Sequence, residues 1–356
     1  MYPALAVLQE LTGEEDLEVL WVGGEGGMEA DLVSRAGFEM VSIPSAGLHG
    51  VGIRALPGNL WKIMQGTRAA RKLLAQFQPD ALFFTGGFVA APIAFASGSI
   101  PTVAFVPDIK PGFTLRFISR FADSIAIVAK AAKQYFRPSD ELLVSGYPVR
   151  QDISSWSKRS SISHLKLDKK RKTLLVFGGS KGARSINTAV IQAVPRMLET
   201  IQIVHITGEN NWDQVQKENT ALNSNLKKHY HPFPYLYDDM GAALAAADIV
   251  LSRAGASVMG EYPQFKLPSI LVPIPFSGHI QHLNAAFMQK SGAALLLPDE
   301  QMSEKLSQLI LDTIQDERRL AAMREAVGNL HMDKAAKTIA NQIIRLGSGN
   351  SKGHSK

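Results

Sequence analysis

The chain has 356 residues, 46% hydrophobic and 20% charged, a balance that fits a folded protein of about two domains and excludes a disordered or collagen-like one. Its 38 Lys and Arg against 32 Asp and Glu give a net charge of +6, which suits an anionic ligand or an acidic membrane surface but lacks the dense basic stripe of a nucleic-acid binder. With no cysteine, a disulfide framework, a zinc-thiolate centre and a cysteine nucleophile are excluded, and a reducing cytoplasm is compatible.

The opening Met1-Tyr2-Pro3-Ala4-Leu5-Ala6-Val7-Leu8 has neither a basic leader region nor a small-residue cleavage site, so no signal peptide is expected. Pro3 begins a helical pattern with no strand before it. A doubly wound domain normally opens with a strand and a glycine-rich turn, so the first strand of the amino-terminal domain is expected to be missing, through truncation or a late start codon. Short β-rich runs then alternate with longer amphipathic ones. Strands are expected at Glu18–Val22, Met40–Ile43, Ala81–Phe84, Thr102–Val106, Ser124–Val128 and Leu142–Val144, and again at Thr173–Phe177, Gln202–Ile206, Ile249–Ser252, Ser269–Val272 and Ala293–Leu297. Helical patterns between them include Leu60–Phe77, Arg184–Leu198 and Gly278–Lys290. Such alternation predicts an α/β protein with two Rossmann-like, doubly wound domains.

Ala81 to Pro107 runs 27 residues without a charge, the length of a membrane span. Gly86-Gly87, Pro92, Gly98 and Pro101 interrupt it, so it reads as the buried centre of a parallel sheet, whose strands are apolar on both faces. The domains are expected at 1–150 and 151–330, joined by a solvated linker from Arg150 to Lys172 that contains Ser154-Ser155, Ser160-Ser161 and the basic run Lys169–Lys172. A helix at about 330–346 is expected to pack back on the first domain, and 347–356 to be a disordered tail.

Three strand–turn–helix segments carry candidate chemistry. In Thr173-Leu-Leu-Val-Phe-Gly178-Gly179-Ser180-Lys181-Gly182-Ala183-Arg184 a buried strand enters a glycine turn before a helix, an arrangement that presents backbone N–H groups and a helix dipole to a phosphate. Ser180 offers a hydroxyl, and Lys181 or Arg184 a charge. The spacing is neither a P-loop nor GxGxxG, and a plain strand–helix turn is the alternative. In Ser252-Arg253-Ala254-Gly255-Ala256-Ser257-Val258-Met259-Gly260-Glu261 small residues allow a ligand close to a helix start. Glu261, expected further along that helix, can accept two hydrogen bonds from a ribose diol; an exposed helical glutamate is the alternative. In the segment after Val272, Gln281 and Asn284 are three apart and share a helical face, where amides suit sugar hydroxyls. His279 and His282 share a spacing too, but no third metal ligand is near, so surface histidines are expected. In the first half the loops after Phe84 and Val106 are strand ends. Asp108, the one acid between Asp80 and Asp123, is either a general base or a turn residue.

Together the segments YPALAV, VGGEGGMEADLV, SAGLHG, TGGFVAAP, GYPVR ending at Arg150, VFGGSKGARSIN, DDMGAALAAADIVLSRAGASVMGE and IQHLNA resemble, in order and spacing, the MurG family of cell-wall transferases, over nearly the whole chain from Tyr2 to about Leu346. The resemblance implies a GT-B fold of two Rossmann-like domains across a cleft. It implies transfer of N-acetylglucosamine from UDP-GlcNAc to undecaprenyl-pyrophosphoryl-MurNAc-pentapeptide, with no cofactor, at the cytoplasmic face of the membrane. Carried over by position, Arg150 and Ser180 contact the donor diphosphate, Tyr237 lies against the uracil, and Ala256, Ser257 and Val258 line phosphate and uridine. Glu261 holds the ribose, while Gln281 and Asn284 read the sugar. The chain departs from the family in two places. It lacks the glycine-rich loop ending in His before the YPALA helix, and Phe105-Val106-Pro107-Asp108 replaces a His-Glu-Gln-Asn stretch, which makes Asp108 the candidate base here. A GT-B transferase with another lipid acceptor, or a truncated remnant that binds UDP-sugar without catalysis, are the alternatives. For the acidic membrane surface, the expected contact is Leu60, Trp61 and Ile63 beside Arg68, Arg71 and Lys72.

Overall fold

A computed structural model of the chain describes residues 1–12, 17–25, 33–47, 52–179, 182–275 and 280–351. It divides into two units, one formed by Met1–Pro148 with Lys334–Lys356 and the other by Val149–Asp333. The helices that bear on the site or frame the units are α1 (Tyr2–Leu11), α2 (Leu56–Phe77), α3 (Arg184–Met197), α4 (Met240–Ala246), α5 (Glu261–Phe265), α6 (Ile280–Lys290) and α7 (Ala335–Ser351). Every strand pairing among the described residues is parallel.

In the first unit β1 (Trp21–Gly24) pairs, among the described residues, only with β2 (Met40–Ile43), Trp21 opposite Met40. A separate sheet runs in chain order through β3 (Leu82–Phe84), β4 (Thr102–Val106), β5 (Ser124–Ile127) and β6 (Leu142–Val144). One apolar cluster nevertheless joins them, with Ile43, Ala70, Leu74, Phe84, Ile93, Ala104 and Ile118 buried together and Val22 packed against them. The contact between α2 and the β2 end is close enough to require glycine, since a Cβ on Gly66 would stand 2.0 Å from the Pro44 carbonyl oxygen. Helix α1 buries Leu5, Val7 and Leu8 and packs on α7, so the helix at 335–351 belongs to the unit that contains the first.

The second unit is a single sheet of β7 (Thr173–Phe177), β8 (Gln202–Ile206), β9 (Tyr230–Phe233), β10 (Ile249–Ser252), β11 (Ser269–Leu271) and β12 (Ala294–Leu296), in the order β12-β11-β10-β7-β8-β9. The unit's first strand lies inside the sheet, and the chain winds away from it in both directions. The order reverses between β7 and β10, and ligands of such sheets bind beyond the carboxyl ends at that point. The central strands are mostly apolar because both faces are covered; Leu174, Leu175, Val176, Ile203, Val250 and Leu251 have no exposed surface.

Several expectations shift. The strand expected at Glu18–Val22 forms at Trp21–Gly24, where it has a partner to pair with. β9 has no counterpart among the expected strands, because Pro232 interrupts its pattern; it is an edge strand, where a proline is tolerated. The segment from Arg150 is no open linker. Helices Gln151–Ser154 and Lys158–His164, the second with a Ser157–Ser160 capping box, pack on α4. The expected tail from 347 continues α7 as far as Ser351, and 352–356 lie outside the described residues. The charge-free run is β3, helix Ala90–Ala96 and β4. No helix among the described residues is long and apolar enough to cross a membrane.

Candidate active site at the sheet's switch point

Beyond β7 the chain turns through Gly178, Gly179 and Gly182 into α3. Gly179 and Gly182 take φ of +95° and +75°, conformations that L side chains rarely adopt. Gly182 is also sterically obligatory, because a Cβ there would stand 2.2 Å from the Thr207 carbonyl oxygen. The turn therefore rests on the end of β8, and α3 starts at an exposed Arg184. Ser180, expected to meet the diphosphate, and Lys181, one of the two candidate charges of this turn, lie outside the described residues, as does His279.

Beyond β10, Ala254 and Gly255 lead into a single 3-10 turn, Ala256–Met259. Gly260 ends it, and Glu261 opens the separate short helix α5. The continuous helix expected from Ala256 to Glu261 is thus broken, so this side offers backbone N–H groups without the summed dipole of a long helix. Val258 is buried, while Ala256 and Ser257 remain half-exposed. Glu261 is buried rather than an exposed helical glutamate. Burial pushes its carboxyl up to about 7, against the opposing pull of the Ser257 hydrogen bond and the Arg150 guanidinium. Arg150, at the amino end of helix Gln151–Ser154, also pairs with Asp152 at 3.4 Å. Arg150, far from Ser257 and Glu261 in sequence, thereby joins them in one electrostatic group.

Beyond β11, the Gln281 Oε1 accepts from the Ile274 backbone N–H at 3.1 Å. Asn284 is fully buried, and its Nδ2 donates to the Ala254 carbonyl at 3.2 Å. The two residues share a helix as expected, but Asn284 braces the Ala254 turn from within. Tyr237, after β9, is 50% exposed, and its ring centroid lies 4.4 Å from that of Tyr235. In the first unit Asp108 follows β4 in a half-buried bend, while Phe105 and Val106 are completely buried in the strand. Two of the four residues that replace the family's His-Glu-Gln-Asn stretch are therefore core.

Sequence reading missed the residues that hold these loops together. Arg253 donates to the Ser185 hydroxyl at 2.7 Å and the Val272 carbonyl at 3.1 Å, and it pairs with Asp299. One planar guanidinium thus ties the ends of β10 and β11 to the first turn of α3. A charged residue directly after a buried strand was the available signal. No group of three His, Asp or Glu suited to a metal occurs among the described residues.

Residues 1–127 match the glycosyltransferase family 28 N-terminal domain and residues 173–343 the glycosyltransferase family 28 C-terminal domain. A UDP-N-acetylglucosamine–N-acetylmuramyl-(pentapeptide) pyrophosphoryl-undecaprenol N-acetylglucosamine transferase of Desulforamulus reducens is 35% identical over 97% of this chain and 95% of its own length. The transferase of the same name from Halothermothrix orenii is 34% identical over 98% and 96%. Among solved structures, Acinetobacter baumannii MurG aligns with a TM-score of 0.75 at 24% identity over 97% of this chain and 95% of that one. A UDP-N-acetylglucosamine 2-epimerase aligns at 0.69 with 13% identity over 100% and 94%, a likeness of fold. With near full-length identity to these transferases, both family 28 domains and the GT-B type of paired parallel sheets, the chain belongs to the MurG family of glycosyltransferases.

Proposed function

We propose that the protein moves N-acetylglucosamine from UDP-N-acetylglucosamine to undecaprenyl-pyrophosphoryl-MurNAc-pentapeptide, the step that completes the lipid-linked disaccharide of peptidoglycan. The observation that carries this is the near full-length relationship to transferases of that name, joined to a switch-point site whose buried acid, Glu261, sits beside Ser257 and Arg150. The donor diphosphate lies at the glycine turn before α3, with Ser180 and Arg150 as partners. Ala256 to Val258 line it, Glu261 accepts from the ribose diol, and Tyr237 covers the uracil. Gln281 faces the sugar, and Asn284 acts by holding the Ala254 turn.

The reaction is a displacement with inversion. A hydroxyl oxygen of the acceptor sugar bonds to the anomeric carbon as its proton passes to a base. The bond from that carbon to the diphosphate oxygen breaks, and its electron pair leaves on UDP. Negative charge grows on the diphosphate as this happens, so N–H groups and Arg150 aimed there bind the transition state more tightly than the bound donor. Asp108 is the base in this reading. Trials with UDP-, GDP- and TDP-sugars, then with lipid-linked acceptors, test it. Turnover confined to UDP-GlcNAc and the muramyl-pentapeptide lipid is expected. Turnover with a different lipid alone would favour the second reading, a GT-B transferase with another acceptor, which the buried Phe105 and Val106 keep in play.

The acceptor is a lipid, and the first unit has a surface suited to a membrane. On α2 the inner face is Ile63, Gly66, Ala70 and Leu74. Leu60, Trp61 and Met64 are about half exposed and share an arc of about 120° with Arg68, Arg71 and Lys72, at about 100° per residue. Ile63, expected on that outer face, belongs to the core. A second aromatic group, Phe95, Phe117 and Phe121, is partly exposed and has centroids 5.1 to 6.2 Å apart. Apolar anchors among basic residues bind anionic interfaces peripherally, at the cytoplasmic leaflet in this reading. Flotation with anionic liposomes tests it, and absence of binding removes it.

A further inference from the structure

Beneath the glycine turn lies a buried polar chain that the proposed chemistry does not use. His205, in the middle of β8, has no exposed surface. Its Nε2 is 3.0 Å from Asn187 Oδ1 and its Nδ1 is 2.8 Å from the Tyr230 hydroxyl. Asn187, on the first turns of α3, places Nδ2 2.7 Å from the Thr207 carbonyl oxygen.

Elimination fixes every direction in the chain. A carbonyl oxygen only accepts, so the Asn187 atom facing Thr207 is its amide nitrogen, and the atom facing His205 is an acceptor. His205 must therefore donate from Nε2. Burial holds its imidazole well below the usual range, at about 3, so it carries a single proton. Nδ1 is then a lone pair, and the Tyr230 hydroxyl donates to it. Three bonds run one way: Tyr230 to His205 to Asn187 to the Thr207 carbonyl. That carbonyl is the oxygen 2.2 Å from where a Cβ on Gly182 would stand. The chain ends on the floor of the phosphate turn, and one of its members belongs to the helix that the turn feeds.

We propose that His205, donating from Nε2, is a positioning residue for the donor diphosphate, locking Asn187 and the Thr207 carbonyl so that the glycine turn and the first turn of α3 keep the geometry the diphosphate needs. It rests on the donor reading above. Of its two bonds, the one to Asn187 carries the effect, and the one to Tyr230 fixes the tautomer.

Two amide replacements separate these bonds. A glutamine nitrogen reaches about where Nε2 stands, and an asparagine amide only about where Nδ1 stands. His205→Gln keeps the donor to Asn187, and His205→Asn keeps only the Tyr230 side. For the full-length protein, kcat and KM for UDP-GlcNAc and calorimetric affinity for UDP are measured together with melting temperature. His205→Gln is expected within about threefold of wild type, and His205→Asn to raise KM and weaken UDP about tenfold with kcat less affected. Nitrogen-15 NMR of labelled histidine is expected to show an Nε2-protonated ring, unchanged across the neutral pH range. Equal losses in the two variants, no loss in either, or an Nδ1-protonated ring overturns the proposal while wild-type UDP binding leaves the donor reading standing. No heat with UDP from the wild-type chain overturns both.

Discussion

The two units apply one architecture with different completeness. In the second, β7 stands between β8 and β10 and makes a continuous ladder of six strands. In the first, β1–β2 and β3–β6 share an apolar cluster but no hydrogen-bonded ladder among the described residues. The difference shows which forces do which work. Side-chain burial gathers the two sheets of the first unit, whereas in the second the ladder also fixes the heights of the strand ends, beyond which Arg253 and Asn284 brace the loops. The proposed donor site, which needs atoms placed closely, suits the second unit, and the proposed lipid-facing surface suits the first.

That contrast can be broken by substitutions on either side. The largest effect is expected from Asp108→Asn, which should lower kcat about 10²–10⁴-fold while calorimetric UDP affinity stays as in wild type; loss of UDP binding would place Asp108 with the donor instead. Next is Glu261→Gln. Folded Glu261 keeps its proton to about 7 but the unfolded chain only to 4.5. The native state therefore binds more protons between those values, and wild-type stability falls as pH rises through the window. Relative to Glu261→Gln, the wild type should lose roughly 3 kcal/mol across that window, read by chemical denaturation. Wild-type UDP affinity should fall as pH drops through about 7, because a protonated carboxyl cannot accept both ribose hydroxyls. Gly182→Ala should cost roughly 2 kcal/mol of unfolding free energy and weaken UDP, since positive φ and the Thr207 carbonyl both oppose a Cβ. The smallest effect is expected from the pair Trp61→Ser and Met64→Ser. These should weaken liposome partition roughly tenfold with UDP affinity unchanged.

Much of this was legible in the chain. Every expected strand except the first forms within a residue of its expected ends, because buried parallel strands are continuous apolar runs and turns of Gly and Pro punctuate them. β9 was hidden by Pro232, whose tolerance depends on lying at an edge, a fact of topology rather than of local pattern. The candidate site was legible where glycine and small residues follow buried strands at the switch point. It was not legible where a residue acts by bracing. Asn284 and a substrate-reading amide look alike until burial turns one inward, and Glu261 sits on its own short helix only because Gly260 interrupts the helix. His205 sits among Ile203, Val204 and Ile206, and a lone polar residue in such a run was its only trace.

The partnership of α1 with α7 bears on biosynthesis. Residues 2–11 leave the ribosome well before the second unit, but the helix that packs over their apolar face is translated after that whole unit. By the time α7 emerges, the second unit has all its own strands in hand, while the first still lacks the helix on which α1 packs. In the nascent protein the second unit can therefore close on its own strands before the amino-terminal helix meets its partner.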